Sequence, residues 1–90
     1  MNNDRRKQIT ELKERLSNVK GDLDSIKDDI ESLKDEEQDG YDNLPESFQN
    51  GEKGEKAQAA IDAFESAVNS AEEALNAFDE VDNYLDTAAA

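Results

Sequence analysis

Asp39, Asp42 and Glu46 lie close enough along the chain to crowd a divalent cation with carboxylate oxygens. Their spacing lacks the ordered ligand positions of a calcium-binding loop, so no metal site is expected. Adjacent acids such as Asp28-Asp29 and Glu72-Glu73 offer a different chemistry, a paired general acid and base. Neighbours on a helix point to different faces, however, and a general acid needs burial to raise its pKa. Histidine and cysteine are absent, which removes the usual general base, thiolate nucleophiles and the commonest metal ligand. The residues therefore point to a non-enzyme without catalytic residues or cofactor. One segment keeps a binding possibility. Gly51-Glu52-Lys53-Gly54-Glu55-Lys56 has glycine backbone and two lysines at the expected start of a helix, a setting that can cradle an anion. With Tyr41 nearby, the residues Gly51, Lys53, Gly54 and Lys56 form a candidate anion or ligand site. The intervening acids oppose it, and flexible chain at a helix start explains the same residues.

The elements that would position these groups are bounded by composition. Ninety residues, 34% apolar and 38% charged, allow one small domain spanning 1–90 and no thick core. Such a chain needs a regular helix interface or a partner subunit to be stable. Its opening, Met-Asn-Asn-Asp-Arg-Arg-Lys, lacks the apolar stretch of a signal peptide. No apolar run approaches the roughly 20 residues that cross a bilayer. A cytoplasmic protein is the expectation. The net charge of −14 is unevenly placed: residues 1–34 are balanced, whereas sixteen acids face only Lys53 and Lys56 from Asp35 onward. Direct nucleic-acid binding through phosphates and binding to anionic membranes are disfavoured. A basic protein surface would be attracted.

Two helices follow from hydrophobic spacing. Ile9, Leu12, Leu16, Val19, Leu23, Ile26, Ile30 and Leu33 recur at alternating steps of three and four, an a/d heptad seam with Ile9 at a. Gly21 falls at an outward f position. The spacing predicts a first helix over about 4–38, a loop over about 39–52 and a second helix over about 53–87. In the second, Ile61, Phe64, Val68, Ala71, Leu75, Phe78 and Leu85 repeat the pattern. Asp82 interrupts it, and helical drift is expected to bring Val81 inward instead. The e positions are Lys13, Lys20, Lys27 and Lys34 in one helix, and Glu65, Glu72, Asp79 and Asp86 in the other. Antiparallel pairing joins Lys34 to Glu65, Lys27 to Glu72, Lys20 to Asp79 and Lys13 to Asp86, each with residue numbers adding to 99. Core layers such as Leu16 with Phe78 and Ile26 with Val68 add to 94, so one register satisfies both sets. The expected fold is an all-α antiparallel helical hairpin, coiled-coil-like. A parallel homodimer of the first helix competes, but leaves the second without a partner. The stripe Ala60, Ala67, Ala74 and Val81 beside the second seam implies self-association, with a dimer forming a four-helix bundle favoured over a higher oligomer. Helix propensity alone also accounts for the alanines.

The connecting loop holds the only proline. Pro45 is expected to open a short helical turn through Phe48, with Tyr41, Leu44 and Phe48 folding over the end of the bundle. Asn50 is a plausible N-cap for the second helix. Residues 36–57, EEQDGYDNLPESFQNGEKGEKA, resemble a loop-and-helix segment of small acidic accessory proteins of tailed bacteriophages. The resemblance covers about a quarter of the chain and carries no functional residues. It implies a phage accessory product acting in the host bacterial cytoplasm.

The remaining feature is acidic. Asp62, Glu65, Glu72, Glu73, Asp79, Glu80, Asp82 and Asp86 lie along the second helix with no basic residue after Lys56. Regular carboxylates on a rod can imitate a phosphate backbone and occupy a basic groove, although solubility alone explains them equally simply. Three functions are therefore expected in order: inhibition of a basic host protein, plausibly a defence component; sequestration of a nucleotide-like signal; and a structural coiled-coil adaptor.

Overall fold

The computed structural model describes residues 2–90. Three helices follow one another: α1 over Asn3–Asp42, the one-turn α2 over Glu46–Gln49, and α3 over Glu52–Ala89. The long helices run antiparallel as an extended hairpin measuring 69 × 15 × 13 Å. The fold is all-α, and no strand occurs among the described residues.

Local chemistry explains the ends. Asn2 caps α1, its side-chain oxygen accepting from the Arg5 N–H at 2.8 Å, and Asp4 lies in the first turn where the helix dipole favours an acid. The helix outlasts its expected end near residue 38 and reaches Asp42. Gln38 donates to the Asp42 carboxylate at 3.0 Å across one turn, and the acidic residues here are adequate helix formers. Glu37 and Tyr41 are half-buried, so the inward row continues past the last leucine. Pro45 then imposes the stop. The Tyr41 carbonyl, left without a partner inside the helix, is satisfied twice, by the Leu44 N–H at 3.0 Å and the Gln49 side-chain amide at 3.1 Å. The expected turn after Pro45 forms, with the Phe48 and Gln49 N–H groups donating to the Pro45 carbonyl. Asn50 closes that turn and does not cap α3. Gly51 occupies the cap position with no side-chain hydrogen bond, so the loop is shorter than 39–52.

The register is the expected one. Lys13 pairs with Asp86, Lys20 with Asp79, and Lys27 with Glu72 at 3.9 Å. Lys34 makes no corresponding ion pair with Glu65. The Arg6 side chain donates to the Ala89 carbonyl at 3.1 Å, joining the open ends of the two helices.

The inward face of α1 differs from the expected a/d seam. Its half-buried row is Ile9, Lys13, Leu16, Lys20, Leu23, Lys27, Ile30 and Lys34, which are positions a and e. The d residues Leu12, Val19, Ile26 and Leu33 stay about half exposed. Lys27 has a side chain only 19% exposed, whereas Ile26 beside it is 52% exposed. A single partner helix covers only part of a face as wide as d, a and e together. The lysine stems lie across the seam to reach carboxylates on α3 while their ammonium groups stay wet. On α3 the seam is a/d as expected, with Ala57, Ile61, Val68 and Ala71 buried. Asp82 keeps its a position, half-buried and 3.7 Å from Lys13, while Val81 stays 46% exposed. The nearby lysine removes the need for drift to turn the acid outward.

Gly54 shows where α2 meets α3. A Cβ there would lie 1.8 Å from the Gln49 carbonyl oxygen, backbone that cannot step aside. Gly21 has nothing within 4 Å. Opposite effects are expected in urea denaturation. Gly21→Ala should stabilise the hairpin by about 0.5–1 kcal/mol, and Gly54→Ala should destabilise it by about 1–3 kcal/mol. The register has its own check. Lys20→Glu with Lys27→Glu should lower the thermal midpoint, and adding Glu72→Lys with Asp79→Lys should recover most of the loss.

Candidate functional site

The hairpin presents two long sides and one capped end, and each holds some of the residues singled out from sequence. On the e side of the seam, lysines from α1 meet carboxylates from α3. Four acids of the row Asp62 to Asp86 are engaged there: Asp82 and Asp86 with Lys13, Asp79 with Lys20, and Glu72 with Lys27. The other four, Asp62, Glu65, Glu73 and Glu80, are exposed, and no lysine or arginine among the described residues lies within 4.0 Å of them. The structure thus separates the acidic row into an inner set that fixes register and an outer set facing solvent. Lys13, Leu16, Lys20, Phe78, Asp79 and Asp82 line a shallow groove of about 160 Å³ between the helices on this side.

Lys13 and Lys20 hold their protons more tightly than free lysine. For Lys13 the main cause is its hydrogen bond to Asp86, opposed by partial desolvation and aided by the charge of Asp82. For Lys20 it is the hydrogen bond to Asp79, with the same opposition and with charge contributions from Asp79, Asp24 and Asp82.

At the capped end, the candidate ligand residues have structural partners. Gly54 is buried because the backbone of Gln49 lies against it. Lys53 stands 5.1 Å above the Phe48 ring, a cation–π contact. Lys56 pairs with Glu52 at 3.2 Å, one turn back in the same helix. Tyr41 is half-buried, its carbonyl serving as the acceptor that closes the loop. Gly51 is the helix cap, with its Cβ direction 3.4 Å from the Ser47 carbonyl. The glycines are thus taken up by the turn and the start of α3, and each ammonium group has a neighbour of its own. No group of three or more metal-ligating side chains is arranged to hold an ion among the described residues.

The opposite, g side of the seam is apolar. Ala60, Ala67 and Ala74 are half-buried at its edge and Val81 is exposed. Facing them across the seam are Leu12, Val19, Ile26 and Leu33 of α1. Heptad spacing places those four in the core, whereas in the structure they form half of this surface. The signal lay in the breadth of apolar positions, which together exceed what two helices can bury. Toward the open end of the hairpin this side holds an open groove of about 360 Å³ lined by Leu12, Arg15, Leu16, Val19, Phe78, Val81 and Leu85.

No protein-family model matches the chain, and neither curated proteins nor solved structures yield a match to it. No helix is long and apolar enough to cross a membrane among the described residues.

The lysine ladder predicts an alkaline limit. A pKa raised above the unfolded value of 10.5 means that the pairs stabilise the fold at neutral pH. That contribution disappears as pH rises through the raised values. Thermal melts on either side of the ordinary lysine pKa should show the midpoint falling above it. In the Lys13→Gln, Lys20→Gln double variant the fall should be smaller, and the midpoint lower throughout the neutral range.

Proposed function

We propose that this chain is a non-enzymatic binding protein that docks on a basic protein surface through the outer carboxylates of α3. The observation that supports this reading is the division of the acidic row. Half of it is neutralised by α1, yet Asp62, Glu65, Glu73 and Glu80 remain exposed with no cation close by. A stable hairpin needs only the inner set for its register. Carboxylates repeated along a rigid rod resemble a phosphate backbone in the sign of their charge, though they are more widely spaced. Glu73 and Glu80 lie two turns apart, about 10 Å along the axis. Their field accelerates encounter with a basic groove and weakens with salt. Blocking a nucleic-acid-binding groove would make the chain an inhibitor. The resemblance of residues 36–57 to acidic phage accessory proteins favours a host defence component in the bacterial cytoplasm as the target.

The test is affinity capture from bacterial lysate at low and high salt. Specific partners should be basic, should leave the chain as salt rises, and should be displaced by a soluble polyanion such as heparin. The variant Asp62→Lys, Glu65→Lys, Glu73→Lys, Glu80→Lys should lose them while keeping its helicity. Capture that is unchanged in this variant, or no partner at low salt, removes the proposal.

A further inference from the structure

Among the described residues, seven large apolar side chains are exposed along the hairpin: Leu12, Val19, Ile26, Leu33, Phe48, Val81 and Tyr84. All but Phe48 lie on one side. On α1 they are the whole d row, from one end of the seam to the other. On α3 they sit in a strip formed by the g and c positions. That strip runs through Ala60, Ala63, Ala67, Ser70, Ala74 and Ala77 to Val81, Tyr84 and Ala88, and it carries no charge at all. The acids of α3 occupy other positions. Tyr84, at the outer edge of the strip, is 76% exposed.

We infer that this side is a homodimer interface, covered by a second copy of the chain to form a four-helix bundle, with the d row of α1 lying on the partner's alanine strip. Three observations choose this occupant. The first is area. The chain exposes 6542 Å² at 10.0 kDa, whereas a compact monomer of that mass exposes about 5,200 Å². The excess of about 1,300 Å² falls within the range that each subunit of an obligate homodimer buries. The second is length. The apolar side follows a rod 69 Å long, and a second hairpin matches that length end to end. The third is charge and size. The edge of α1 next to the d row carries Arg15, Asp22, Asp29 and Glu36. Placing α1 against a second α1 would oppose these acids to one another. Placing it on the uncharged strip of α3 sets them beside alanine methyls and serine. Leucine-sized residues then meet alanine-sized ones, which lets the helices interdigitate and approach closely. The outer carboxylates of α3 point away from this side and stay accessible in the dimer.

Sedimentation equilibrium across a dilution series tests the inference. The wild-type chain should sediment at twice its 10.0 kDa mass at micromolar concentration. Its thermal midpoint should rise with protein concentration, since folding and association are linked by mass action. Val19→Lys with Ile26→Lys should raise the dimer dissociation constant by about a hundredfold or more. Glu14→Lys with Asp28→Lys, on the outer edge of the same helix, should leave the dimer intact. A wild-type mass of 10.0 kDa with a concentration-independent midpoint overturns the inference and leaves the apolar side to another protein. A Val19→Lys, Ile26→Lys variant that still sediments as a dimer overturns it too, because the contact then lies elsewhere. The wild-type measurements hold even if that variant fails to fold.

Discussion

One narrow seam carries the hairpin, in which the a row of α1 and the lysine stems beside it lie along the a and d positions of α3. Burial there is shallow. Among the described residues the buried apolar ones are Ala57, Ile61, Val68 and Ala71, which lie between the turn and the middle of α3. No side chain among the described residues is fully shielded from solvent. The capped end is correspondingly the tight end, where α2 presses on Gly54 and the Tyr41 carbonyl is doubly satisfied. Toward residues 75–89 the contacts loosen into half-buried pairs. Fraying is expected to begin there, since local opening follows the density of buried contacts.

Register in so narrow a seam rests on charge and on the turn together. The apolar layers and the e rows repeat with the same seven-residue period, so a slip by one heptad would still set lysines beside carboxylates. The turn excludes that slip, because α2 packs against Gly54 and Gln49 is tied to the Tyr41 carbonyl. Within a heptad, the lysine and acidic rows exclude the remaining alignments. The pairs are solvent-facing, so their worth is in discriminating between arrangements more than in adding stability. The same arrangement engages Glu72, Asp79, Asp82 and Asp86 of α3, so the acidic character of the surface depends on the outer set and the turn.

Much of this was legible in the residues. Hydrophobic steps of three and four are a local property of the chain, and they mark both long helices. The charge rows at e, together with the core layers, specify an antiparallel register to within a heptad because only one alignment in seven satisfies both. Pro45 announces the short turn that follows it. The extent of α1 was less legible. Gly40 and the run of acids read as loop, whereas the Gln38–Asp42 bond and the inward positions of Glu37 and Tyr41 carry the helix onward. Gly54 read as flexible backbone or an anion cradle, and its role instead depends on how closely the Gln49 backbone approaches.

Taken alone, the sequence determined the helices, their antiparallel order and their register, since periodicity and charge pattern act at fixed spacings along each helix. Only the tertiary structure decided which flank of the α1 seam is covered. Rotation about a helix axis is set by the side chains across the interface, and here the lysine stems reaching to α3 win that contest over Leu12, Val19, Ile26 and Leu33. The same rotation leaves an apolar side open along the rod and directs the unpaired carboxylates elsewhere. Heptad labels treat both flanks alike, so they do not distinguish the covered one from the open one.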